Sequence, residues 1–145
     1  MYADIQPNAD AFARALEELG EKIEQDVFEK VIVKAICDVW LEIMEENPTE
    51  TCRCRNSWLL DKDFSEWALP EGDYKNVDFR AAVSAVMANL PISDHYVLFN
   101  NIEYVQALEE GHSTQAPAGF VAKALAAMTE FLSQAAKSVG YEVTA

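Results

Sequence analysis

The feature that most restricts the fold is an apolar stripe running through the first third of the chain. Phe12, Leu16, Leu19, Ile23, Val27, Val31, Ala35, Val39 and Ile43 recur at steps of three and four residues, which lines one face of an α-helix. Asn8 stands where an N-cap belongs, and Asn47-Pro48 closes the run because the residue before a proline avoids the α region. The stripe predicts a helix over about residues 8–46, whole or divided in two. Gly20 is the expected kink, since an interior glycine costs about 1 kcal/mol relative to alanine. Unbroken, the helix would measure about 55–60 Å at 1.5 Å per residue, longer than a compact domain of this size is wide. It must therefore bend, protrude or pack against a second subunit. Its outward positions, among them Glu17, Glu18, Glu21, Glu24, Asp38, Glu42, Glu45 and Glu46, are acidic.

The rest of the chain changes period repeatedly. Thr49 to Cys54 reads as a loop, and Arg55 to Leu60 has the composition of a strand with Trp58 and Leu60 on one face. Asp61-Lys62-Asp63 signals a turn, Phe64 to Leu69 a second strand pairing back, and Pro70-Glu71-Gly72-Asp73 another turn. Asp78 caps a helix from Phe79 to Asn89 whose Val83, Val86, Met87 and Leu90 face inward and which Pro91 closes. His95 to Phe99 is the clearest strand, and a short helix from Ile102 to Glu110 follows it. Pro117 opens the last helix, with Phe120, Val121, Ala124, Leu125, Met128, Phe131, Leu132 and Ala135 on its buried side and Gly140 just past its end. This order predicts one α+β domain over residues 1–145. A long N-terminal helix (8–46) leads into a body (49–140) with a small, mostly antiparallel sheet, shorter helices and a C-terminal helix packed on it.

Charge narrows the functions. Against 25 Asp and Glu stand 11 Lys and Arg, a formal net charge of −14, and a surface of that sign repels nucleic acid backbones and anionic lipid. Binding DNA through phosphate contacts is disfavoured. Two roles near DNA survive: a surface that DNA slides past without sticking, and one that imitates DNA. Half of the residues are hydrophobic, including three Trp and seven Phe, which argues for a folded core. The N-terminus lacks a basic segment followed by an apolar one, and no run approaches eighteen apolar residues, so neither an export signal nor a membrane span is expected. Three cysteines, an odd number, suit a reducing compartment better than a disulfide framework.

Residues that invite chemistry fail on spacing. Cys52-Arg53-Cys54 lacks a second ligand pair, since Cys37, His95 and His112 fall on different elements. The stretch Leu108 to Gly119, LEEGHSTQAPAG, looks catalytic at first sight. His112 and Ser113, however, are neighbours in sequence, whose side chains do not naturally meet, and no Gly-x-Ser-x-Gly elbow is present. Gly111 and Gly119 are too far apart for a phosphate loop, and no Lys-Ser or Lys-Thr follows. The pairs Glu109-Glu110 and Glu45-Glu46 point apart on a helix. We therefore assign no catalytic, cofactor-binding or metal-binding residue. The stretch instead spells a corner: Gly111 ends one helix in the left-handed conformation, Pro117 starts the next, and Ala116, Ala118 and Gly119 permit close backbone approach.

Two segments carry a resemblance. The run from Asn100 to Val121, with Asn100, Asn101, Tyr104, Leu108, Glu109, Gly111, Ser113, Gln115, Pro117 and Gly119, resembles the signature of the tail-completion, or head–tail joining, proteins of tailed bacteriophages. There a strand ends in Asn-Asn, a Tyr-containing helix leads to Leu-Glu-x-Gly, and a Ser-x-Gln-Ala-Pro-x-Gly turn opens the last helix. Upstream, Pro48 to Trp58, with Arg55, Ser57 and Trp58, is similar to the family's entry into its first strand, although Cys52 stands where the family has glycine. Glu110 and Thr114 also depart from the pattern, and Asp61 to Asn76 reads as an insertion. The resemblance spans about residues 27–138. It implies a structural protein of the virion, built in the host cytoplasm, with no enzymatic activity and no cofactor. Copies would form a ring, a hexamer or dodecamer, between the tail terminator or tube and the head connector, and DNA would pass without specific binding. A DNA-mimic inhibitor of a host enzyme and a small hydrolase using His112 or His95 are the rival expectations.

Overall fold

The computed structural model describes residues 9–61, 63, 65–93 and 95–142. In chain order they form α1 (Ala9–Lys22), α2 (Gln25–Glu45), α3 (Arg53–Asn56), β1 (Leu59–Asp61), α4 (Phe79–Asn89), β2 (Val97–Phe99), α5 (Val105–Glu109), α6 (Phe120–Ala126) and α7 (Met128–Lys137). The class is α+β. Its two described strands pair antiparallel, with Leu59 opposite Phe99, Leu60 opposite Leu98 and Asp61 opposite Val97.

The long stripe is divided, but not at Gly20. The chain leaves the helix at Glu24, whose ψ of 146° is extended, so the break separates α1 from α2 while Gly20 stays inside α1. Tertiary packing overrides the glycine's local cost. Bending there lets Leu19 of α1 and Ile23 just past its end join Val31 and Ala35 of α2 around Leu132 of α7, and the Phe28 ring comes to rest beside Gly20. The length that called for a protrusion or a neighbouring subunit is thereby absorbed within the chain. The expected cap, Asn8, lies outside the described residues.

α2 is the central helix. Val31, Val33, Ala35, Cys37, Val39 and Trp40 are all buried, positions spread around more than one face, and a helix apolar on several sides must be covered on several sides. α4, α6 and α7 pack on it, and α1 lies against α7. The core falls into two clusters along α2. One gathers Trp40, Ile43, Trp58, Val83, Phe120 and Leu125, the other Leu19, Ile23, Val31 and Leu132, and the rings of Phe12 and Phe131 touch both.

Several shorter elements differ from expectation. Arg55 and Asn56 lie in the helical turn α3, and the strand begins only at Leu59. The turn is set by Cys52, which holds a left-handed φ of 57°, and by Ser57 Oγ, which donates to Arg53 O at 2.7 Å. No second strand forms over 65–69. That segment is pinned by side chains instead, because β1 takes β2 as its partner; Phe64 lies outside the described residues. α4 has the expected Asp78 cap, whose carboxylate accepts from Ala81 N at 3.0 Å. Met87, however, is exposed and Val86 only half-buried, since the helix turns chiefly Val83 inward. β2 starts at Val97, leaving His95 exposed, and α5 is shorter than the segment from Ile102 to Glu110. The last helix starts at Phe120, three residues after Pro117, and divides at Ala127. Pro117 is therefore not its first-turn residue. Gly140 does adopt a left-handed φ of 91° past α7, with Tyr141 N donating to Ala136 O at 3.0 Å.

Candidate functional site

The corner between α5 and α6 is built by paired backbone and side-chain bonds. Gly111, at φ 94°, ends α5: its N–H donates to Leu108 O at 3.1 Å and the His112 N–H to Ala107 O at 3.0 Å. These are the two bonds of a Schellman motif, which satisfies carbonyls that a helix end leaves unpaired. A Cβ at Gly111 would also meet the Ala118 Cβ at 3.0 Å. On the other side Gly119, at φ 72°, precedes α6 and offers no side chain to cap it. Glu109 supplies the cap from across the corner. Its Oε2 accepts from Val121 N at 2.9 Å and its Oε1 from Ala122 N at 3.2 Å, while its backbone oxygen accepts from Gly119 N at 2.8 Å. One residue thus closes α5, spans the loop and starts α6, and Leu108, buried beside it, anchors α5 to the core.

The loop of the corner reaches the other signature segment. Ser113 Oγ accepts from Gln115 N at 3.0 Å, and Gln115 Oε1 accepts from Thr49 N at 3.1 Å, tying residues 113–115 to the chain just after Pro48. Behind Thr49 the end of α2 is closed by Arg55, whose Nε donates to Met44 O at 3.0 Å and whose NH2 donates to Glu45 O at 3.2 Å. The same guanidinium lies 4.9 Å from the centroid of the Phe79 ring. Cationic donors at a helix C-terminus meet both the orphan carbonyls and the dipole. Trp58, fully buried, donates from Nε1 to Asn47 Oδ1 at 3.3 Å, and Trp40 Nε1 donates to Trp58 O at 3.1 Å. Asn47 in turn donates from Nδ2 to Ile43 O at 2.5 Å. Asn47, expected only to end the helix, is thus a buried bridging residue; its signal in the sequence is an amide just before proline, where the helix needs a terminal hydrogen-bonding group.

The Asn-Asn pair after β2 divides its work. Asn100, fully buried, donates to Cys54 O at 2.9 Å and accepts from Ile102 N at 2.9 Å, joining the start of the α5 segment to α3. Asn101 Nδ2 donates to Ser65 O at 2.5 Å and Trp67 O at 2.9 Å, holding the strap formed by residues 65–78. Arg53, which sequence reasoning passed over, holds the same strap through Nε on Leu69 O at 2.9 Å and grips Glu103 with both terminal nitrogens, at 3.0 and 3.3 Å. The hydrogen bonds from Arg53 hold the Glu103 carboxyl below its ordinary value.

The groups that invited a chemical reading are deployed otherwise. The hydroxyl of Ser113 accepts the Gln115 N–H, and among the described residues the His112 imidazole makes no hydrogen bond to it. Glu109 caps α6, and Glu110 accepts from Gln106 Nε2 at 3.3 Å. All three cysteines are buried and unpaired as disulfides. Burial pushes the Cys54 thiol up to about 12 and the Cys37 thiol to about 11, so both stay protonated at neutral pH and are poor nucleophiles. Among the described residues, no three His, Cys, Asp or Glu gather closely enough to hold a metal ion.

Two clefts flank the corner. One, of about 440 Å³, is lined by Tyr104, Leu108, His112, Ser113 and Gln115 on the corner side and by Pro48, Glu50, Thr51 and Cys54 on the other. The second, of about 680 Å³, continues past Pro48, Glu50 and Gln115 to Arg55 and Glu45. Tyr104 stands at the first with 39% of its surface exposed. Pro117 and Gly119 line neither cleft; they shape the loop between them.

Comparison of the chain with family models, curated protein sequences and solved structures finds no match. Among the described residues, no helix is long and apolar enough to cross a membrane.

Proposed function

We propose that the chain is a non-catalytic structural component of the head–tail junction of a tailed bacteriophage. In this reading it completes the tail and joins it to the head connector as part of a ring around the DNA passage. The observation that carries the reading is the corner at Leu108–Gly119. Its signature residues have definite mechanical duties in this chain: Glu109 and Gly111 close and restart helices, while Ser113 and Gln115 tie the loop to Thr49. The resemblance therefore rests on residues that specify a joint, as an assembly protein requires, and their polar groups are engaged in holding it. The acidic balance of −14 suits a part that DNA passes without adhering.

Co-sedimentation of the purified chain with isolated tails and connectors tests the proposal. A saturable, stoichiometric association with tail ends is expected. A stable monomer that ignores tails and binds a basic nuclease in a salt-sensitive manner would favour the DNA-mimic reading instead. Hydrolytic activity lost on His112→Ala would favour an enzyme.

A further inference from the structure

The side chains that pin residues 65–69 to the body hold one large apolar group outward, Trp67. Asn101 Nδ2 donates to Ser65 O at 2.5 Å and to Trp67 O at 2.9 Å, the Trp67 N–H donates to Ser65 Oγ at 3.1 Å, and Arg53 Nε donates to Leu69 O at 2.9 Å. Ala68, next in the chain, packs on the core. Trp67 is nevertheless 45% exposed, where Trp40 and Trp58 are 4% and 0% exposed. Among the described residues no group accepts from its indole N–H or lies on its ring as a cation. Single exposed apolar residues are ordinary on a protein surface; what distinguishes this one is a backbone clamped on both sides. A side chain so mounted has less freedom to lose on binding, and tryptophan is enriched among the residues that anchor protein interfaces.

The surroundings of the indole are acidic. From Asp61 to Asp73 the sequence sets Asp61, Asp63, Glu66, Glu71 and Asp73 against Lys62, and Asp63, Glu66 and Glu71 are exposed. Arg53 adds no open positive charge, because its side chain is 11% exposed and grips Glu103, whose own side chain is 72% exposed. Nucleic acid and anionic lipid are repelled by such a face. Its complement is a protein surface with an apolar recess for the ring and basic residues around the recess.

We infer that Trp67 anchors the chain to a partner protein, its indole entering an apolar pocket of the partner whose rim carries Lys or Arg opposite Glu66 and Glu71. The inference rests on the reading of the chain as an assembly component and names the surface by which it meets a neighbour. It also gives Asn101 a second purpose, since the amide that ties the strap to the body fixes the backbone from which the ring projects.

The test mixes the full chain, carrying 5-hydroxytryptophan so that it fluoresces apart from ordinary tryptophan, with isolated tails and with isolated connectors. Association is scored by sedimentation and exposure of the indole by acrylamide quenching. Trp67 is the tryptophan open to acrylamide in the free chain, and its quenching should fall sharply on association. Trp67→Ala should weaken association by about tenfold or more, the scale of an anchor residue, with Trp67→Phe recovering part of the loss. Glu66→Lys should slow association and flatten its dependence on salt. Trp67→Ala keeps both backbone bonds of residue 67, so the strap stays in place, which thermal unfolding verifies, and quenching of the parent chain tests the inference without any substitution. Association that leaves Trp67 as open to acrylamide as before, or that Trp67→Ala matches in strength, overturns the anchor alone. Equal protection of the indole by phosphatidylcholine vesicles would show a membrane preference and likewise overturn it. Association with neither particle defeats the proposed function, and the anchor with it.

Discussion

At Glu109 a single carboxylate meets the two amide donors, Val121 N and Ala122 N, that would otherwise open α6 unpaired. Glu109→Ala is expected to lower stability by about 1–2 kcal/mol, the usual loss for a helix cap with an ionised acceptor, read as a fall in melting temperature. Gly111 is under a stricter constraint. Its φ of 94° and the 3.0 Å approach to Ala118 exclude a branched side chain twice over, so Gly111→Val should lose about 2 kcal/mol or more, or fail to fold. His112→Ala, in contrast, removes an exposed side chain and should stay within about 0.5 kcal/mol of the parent. Thermal unfolding of the pair side by side checks both. A His112 variant as damaged as the Gly111 variant would show that the corner is not held by its backbone geometry.

The elements show which parts of the fold were legible in the sequence. α4 could be read from Asp78, an apolar period and Pro91, all local signals, and its bounds are Phe79–Asn89 as expected. A division of the stripe was expected, but its position at Glu24 could not be read, because Leu19 and Val31 converge on Leu132, over a hundred residues downstream. The corner was legible as a corner from Gly111, but the role given to Pro117 was misplaced, since the cap on α6 comes from Glu109 across the loop and no short-range pattern encodes it. Arg55 was read as strand for a similar reason: its helical turn serves the carbonyls of Met44 and Glu45. Because Gly20 lies inside α1 and a Cβ there would touch only the Phe28 ring at an ordinary 3.6 Å, Gly20→Ala should stabilise the chain by about 0.5–1 kcal/mol. A loss of stability in denaturant titration would contradict that placement. The strap over 65–78 has its own pH dependence. Glu103 is lowered from its ordinary 4.5 by Arg53, so the clamp is complete above pH 4.5 and weakens as pH falls below it. Hydrogen-exchange protection of Trp67 N–H and Tyr74 N–H, which are bonded to Ser65 Oγ and Thr51 O, measured relative to the intrinsic rate at each pH, should therefore fall below pH 4.5 in the parent and show no such step in Glu103→Gln.

At the scale of the whole molecule, a chain with net charge −14 folds around one central helix and bends its N-terminal helix back onto α7. The bend removes helix length as an argument for a neighbouring subunit, so the proposed assembly role stands on the corner. Copies of so acidic a chain repel one another in dilute solution, so the proposed assembly would need a template with complementary charge. The central claim is that the end of a phage tail is that template. The most direct measurement is electron microscopy of isolated tails mixed with the gold-labelled chain. Label is expected at a single end of each tail, in a fixed copy number, with Gly111→Val abolishing it and His112→Ala preserving it. Label scattered along the tube, or absent from tails altogether, would contradict the account.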